Sequence, residues 1–89
     1  MTLQEMKEFC DSIRNEALSR CEISAADLTL TPNRHQDNTS ISFELKDGQK
    51  WFCLRKIIEK TMNIMPLTTK GVFSLMLEQL EEEASSMSI

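Results

Sequence analysis

Trp51 is the single tryptophan of the chain, and it lies among cations: Lys46, Lys50, Arg55, Lys56 and Lys60. A large ring ringed by ammonium and guanidinium groups suits two kinds of recognition. One is protein contact, where the ring anchors in a pocket and the charges line its rim. The other is nucleic acid, where the ring stacks on a base and the cations meet phosphates. Charge balance favours the first. Residues 46–70 hold six bases against two acids, yet the 89-residue chain carries a formal net charge of −4. The acidic remainder repels a polyanion. The expected contact surface is therefore Trp51 with Lys46, Lys50, Arg55, Lys56 and Lys60, and the expected partner is another protein or a second copy of the chain, meeting that face or adding a strand at a free sheet edge. A nucleic-acid-binding module using segment 46–70 is the alternative.

Catalytic and metal chemistry have thinner support. Cys10, Cys21 and Cys53 are widely spaced, and no pair has C-x-x-C spacing. Zinc takes four ligands, usually in close pairs, and the single His35 has none nearby in sequence. A cysteine nucleophile needs a histidine beside it, and His35 sits in a polar run. The expectation is three separate thiols in a reducing compartment, with no metal and no cofactor. Asp37 followed by Glu44-x-Lys46 is similar to the acid and E-x-K of restriction-type nucleases, and that resemblance implies Mg²⁺-assisted phosphodiester hydrolysis. Strand alternation alone also puts Glu44 and Lys46 on one face. The two glycines, Gly48 and Gly71, are too few for a phosphate-binding loop. These readings converge on a non-catalytic module, such as an adaptor, accessory subunit or inhibitor.

The elements that position these residues follow from periodicity. Leu3, Met6, Phe9, Cys10, Ile13, Ala17 and Cys21 recur at helical steps, and Thr2 with Glu5 forms a capping box ahead of them. Residues 27–31 alternate and read as a strand that Pro32 ends or confines to an edge, and 33–38 read as a polar hairpin loop. Residues 40–46 alternate as a second strand, and Asp47-Gly48 is a strong hairpin signal. A third strand from Lys50 to Leu54 follows from that turn. Its register would put Phe52 and Leu54 inward with Ile41, Phe43 and Leu45, and Trp51 outward beside Glu44. Leu54, Ile57, Ile58 and Met62 suggest a short helix closed by Asn63 and Pro66. A last helix carries Val72, Phe73, Met76, Leu77 and Leu80, with Thr68 as cap and Leu67 stapled to Val72. Glu81, Glu82 and Glu83 sit where the helix dipole disfavours acids.

The predicted fold class is α+β: a helix, a three-stranded antiparallel sheet, a short helix and a longer helix. It occupies residues 1–84 as a single domain, with 85–89 a flexible tail. The order helix–three strands–helix is similar to that of double-stranded RNA-binding domains as an architecture. In that family lysines opening the last helix read phosphates. The corresponding run here, Thr68-Thr69-Lys70-Gly71-Val72-Phe73, carries one. No apolar run approaches the roughly 20 residues of a membrane span. The N-terminal residues lack a basic and then apolar leader pattern, which places the chain in the cytoplasm by expectation.

Overall fold

The first helix, α1 (Leu3–Arg20), begins where Thr2 accepts the Glu5 backbone N–H at 3.1 Å. The Thr2 hydroxyl in turn donates to the Glu5 carboxylate at 3.0 Å. Met6, Cys10, Ile13 and Ala17 form its buried stripe. A short 3₁₀ turn (Ala25–Asp27) leads into β1 (Leu28–His35), β2 (Asn38–Leu45), α2 (Trp51–Met62) and α3 (Leu67–Met87). These elements come from a computed structural model, which describes residues 2–47 and 50–87.

β1 and β2 form a two-stranded antiparallel hairpin that pairs Leu28 with Leu45 at its base and His35 with Asn38 at its tip. The loop between them is only Gln36 and Asp37, and Gln36 takes the left-handed backbone region at φ 56°. The strand therefore runs through Pro32, the edge placement of the two that the sequence allows. Pro32 is tolerated because its missing N–H faces the free side of β1. Leu28, Leu30, Phe43 and Leu45 are buried on the helix side, while Thr29, Thr31, Ser42 and Glu44 face outward. The polar run 33–38 thus belongs to the far half of a hairpin that outreaches its helices.

The expected third strand is absent among the described residues. Trp51–Leu54 instead opens α2, so the sheet has two strands where three are predicted. Gly48 and Gln49, on which the predicted tight turn depends, lie outside the described residues. The helical choice follows from side-chain spacing: Leu54, Ile57, Ile58 and Thr61 are the buried residues, at three- and four-residue steps. Four consecutive bulky residues, Trp51 to Leu54, alternate with nothing. The structural likeness to double-stranded RNA-binding domains goes with that strand. Asn63 caps α2, and Pro66 precedes α3. α3 starts at Leu67, so Thr68 lies inside its first turn, and Leu67 is exposed instead of stapled to Val72. α3 also continues through Met87, past the expected start of the tail.

The helices cover one face of the hairpin. α1 packs under β1, α3 under β2, and α2 lies against both helices. Phe73, Met6, Ile13, Leu54, Ile58 and Leu80 are fully buried where they meet, and the rings of Phe9 and Phe73 pack edge to face at 6.2 Å. Among the described residues no helix is long and apolar enough to cross a membrane.

Cys21 and Cys53 are disulfide-bonded, with Cα atoms 5.7 Å apart. This corrects the expectation of three separate thiols. Cys21 caps the end of α1 and Cys53 lies in the first turn of α2, so packing those helices side by side brings the sulfurs together across 32 residues of sequence. Such bonds persist chiefly in oxidising compartments.

Cys10 remains free and buried. Burial first, then the charge of Asp11, pushes its thiol up to about 11, against an opposing effect of Arg14. Cleaving the disulfide by Cys21→Ser with Cys53→Ser is expected to lower stability by roughly 3–4 kcal/mol through loop-closure entropy, measured by urea unfolding. Cys10 is expected to resist alkylation at pH 8 until urea unfolds the chain. Between its ordinary value of 9.0 and about 11, the unfolded chain loses the Cys10 proton while the folded chain keeps it. The contribution of this thiol to stability is therefore full below pH 9 and is lost as pH rises through that window. Alkaline unfolding curves of the native chain and Cys10→Ala check this.

Candidate protein-interaction site

The start of α2 is held in place by what precedes it. The Lys46 N–H bonds the Asp27 carbonyl at 3.0 Å, carrying the hairpin register one residue past its base. Lys50 then pairs with Glu22 at 3.4 Å, next to the Cys21–Cys53 bond. Glu22 itself takes φ 55°, which turns the chain sharply out of α1. Disulfide and ion pair together fix the first turn of α2 against the last turn of α1.

That first turn presents an aromatic pair. Trp51 is half-buried and packs on the core, not on the outer face of a sheet. Phe52, expected inward, is 62% exposed. The two rings stack with centroids 3.7 Å apart and planes 26° apart. A large exposed ring stacked on an anchored one has little rotamer freedom left to lose on binding, which favours a contact made there.

The cations surround this pair less closely than the sequence implies. A helix turns 100° per residue, so the basic side chains of α2 fan out in different directions. Lys60 reaches Glu16 of α1 at 3.1 Å. Arg55 turns the other way, bonding Glu59 at 3.0 Å and pairing with Glu81 of α3. The hydrogen bond that Arg55 donates to Glu59 leads the effects that hold its guanidinium more firmly protonated than usual. Lys50 is engaged with Glu22. Lys46 and Lys56 are exposed. Lys56 lies one turn after Phe52 and shares its solvent-facing ridge. The structure thus brings together Trp51, Phe52 and Lys56, and spends Lys50, Arg55 and Lys60 on ion pairs between elements. Arg55 also pairs with Glu81, which lies within α3 because that helix continues to Met87.

The remaining candidates do not assemble. Asp37 is at the hairpin tip and Glu44 is seven residues along β2 near its base, a separation of roughly 20 Å along a strand. His35 is at the same tip, far from the buried Cys10 and the bonded Cys21 and Cys53. No cluster of three or more metal-ligating side chains occurs among the described residues. A second surface feature is an open groove between α1 and the end of α2, with Phe9 and Ile64 in its lining and Glu5, Glu8 and Glu16 along it. Sequence reasoning missed Phe52 as an exposed ring. The signal for Phe52 was available in the helical spacing of Leu54, Ile57 and Ile58, which leaves position 52 on the opposite side.

Compared with protein-family models, curated proteins and solved structures, the chain matches none, so its own geometry carries the functional argument.

Phe52→Ala is expected to change the unfolding free energy by less than about 1 kcal/mol, because the ring packs only on Trp51 and solvent. Trp51→Ala, which strips apolar area from the core, is expected to cost about 2 kcal/mol. Urea denaturation of both variants checks the assignment of one ring to contact and the other to support.

Proposed function

We propose that the protein is a non-catalytic interaction module that binds another protein through the Trp51–Phe52 ridge and Lys56. The observation that carries this reading is the Phe52 ring, 62% exposed and stacked on a half-buried Trp51. Apolar anchors of this kind concentrate binding energy when a partner excludes water from them. Lys56 adds a charge on the same ridge, which suits a partner surface that pairs an apolar pocket with a carboxylate. Three of the five cations expected around Trp51, namely Lys50, Arg55 and Lys60, meet acids outside α2, and this supports protein contact over a phosphate track.

A photo-reactive benzophenone amino acid at position 52 tests the reading, with the same group at Glu44 on the outer sheet face as control. A discrete protein adduct is expected from position 52 and not from position 44, and Lys56→Glu is expected to weaken it. Adducts to nucleic acid would favour the alternative use of segment 46–70. The same protein adducts from both positions, or none from position 52, would overturn the ridge as a binding site.

A further inference from the structure

The hairpin has two free edges, and they differ. The bond from the Lys46 N–H to the Asp27 carbonyl fixes which residues exchange ladder hydrogen bonds. In an antiparallel pair these alternate with residues whose N–H and C=O point away from the partner strand. On β1 the outward groups belong to Leu28, Leu30, Pro32 and Arg34. On β2 they belong to Thr39, Ile41, Phe43 and Leu45. Two contacts agree with this parity: Arg14 donates to the Leu30 carbonyl at 3.5 Å, and Gln79 donates to the Phe43 carbonyl at 3.3 Å.

The β1 edge is closed to further pairing. Pro32 has no N–H to offer, and Arg14 covers the Leu30 carbonyl. The β2 edge is open. Ile41 stands directly across from Pro32 and keeps its outward N–H and C=O, as does Thr39. Beside them α3 supplies an apolar flank: Thr39, Ile41, Val72, Leu75 and Met76 line one shallow groove, and Leu75 is 66% exposed.

We propose that this edge pairs with the same edge of a second copy, antiparallel and two-fold related about Ser40. Thr39 then faces the partner's Ile41, and Ile41 faces the partner's Thr39. Each of these pairs exchanges both outward groups, while the bond from Gln79 to Phe43 stays intact. The product is a four-stranded sheet in which each Ile41 side chain lies over the Leu75 flank of the other copy. The two-fold register makes a second copy the matching occupant, since each edge supplies the donors and acceptors that the other needs, and charge does not oppose it. The chain carries −4, but Asn38-Thr39-Ser40-Ile41-Ser42-Phe43 holds no charge, so two-fold pairing sets no like charges opposite each other along that ladder. The contact is one strand edge and one helix flank, so the dimer is concentration-dependent. It uses no residue of the Trp51–Phe52 ridge and stands or falls independently of it.

Sedimentation equilibrium of the full chain over rising concentration tests the proposal, together with Ile41→Pro and Leu75→Glu. Proline at 41 removes an N–H that no β1 residue uses, and glutamate at 75 replaces an exposed side chain on α3. Far-UV circular dichroism reports whether each variant folds, and Leu75→Glu stands alone if Ile41→Pro does not. The native chain is expected to move from monomer to dimer, and each folded variant to weaken the dimer by about tenfold or more. In a dimer of labelled and unlabelled copies, a cross-peak between the two Ser40 α-protons fixes the register. A native chain that stays monomeric at millimolar concentration overturns the proposal. So does a dimer indifferent to Leu75→Glu, or a chain that takes up a foreign strand while remaining monomeric by itself.

Discussion

A hairpin of two strands is marginal in water, because its single ladder fixes many backbone angles while burying little. Everything in this fold depends on covering one face of that hairpin. Leu28, Leu30, Phe43 and Leu45 are inward at its base, and α1 and α3 each take one strand. α2 lies against both helices and contributes Leu54, Ile57 and Ile58 to the same core. The helix layer thus supplies most of the burial, and the sheet serves as its lid. Toward the hairpin tip the cover runs out, and the burial of alternate residues falls away with it.

The disulfide and the interhelical ion pairs act on the orientation of α2. Cys53, Lys50 and Lys60 tie it toward α1, while Arg55 ties it toward α3. Surface ion pairs contribute little singly. Their placement on opposite sides of α2 still sets its rotation about its own axis. That rotation decides that Phe52 and Lys56 face water and that Trp51 rests on the core. Three of the six bases of segment 46–70 thus tie α2 to its neighbours.

Much of the helix layer was legible in the sequence, and the sheet was legible only in part. The stripe of Met6, Cys10, Ile13 and Ala17 and the cap at Thr2 locate α1 to within a residue, because both signals are local. The inward set of Leu28, Leu30, Phe43 and Leu45 was equally readable from alternation. The third strand was misread because Asp47-Gly48 is a strong turn signal whose weight depends on the pattern after it, and Leu54, Ile57, Ile58 and Thr61 have a helical period. Of the two readings of Pro32, strand end or edge strand, the edge holds, because a proline ends a strand only when its N–H is needed and here that position is on the free side of β1. The bond between Cys21 and Cys53 was invisible for a different reason: it depends on how two helices pack, and no spacing along the chain encodes that. Phe52 followed the same fate as the strand to which it was assigned.

The unbonded cysteine has a consequence for how the chain reaches this state. Before folding, three thiols are equivalent, and oxidation can join Cys10 to Cys21, Cys10 to Cys53, or Cys21 to Cys53. A bond from Cys10 would pull the middle of α1 out of the core, because that side chain is fully buried among the apolar residues of its stripe. Only the third pairing is compatible with the packed helices. Once the core closes, Cys10 is sealed from both oxidant and exchange partner. The order of events therefore matters: a chain that packs α1 before it oxidises has a single pairing open to it, whereas one that oxidises first can fall into either of two wrong pairings, and since both use Cys10 it then has that one bond to unmake.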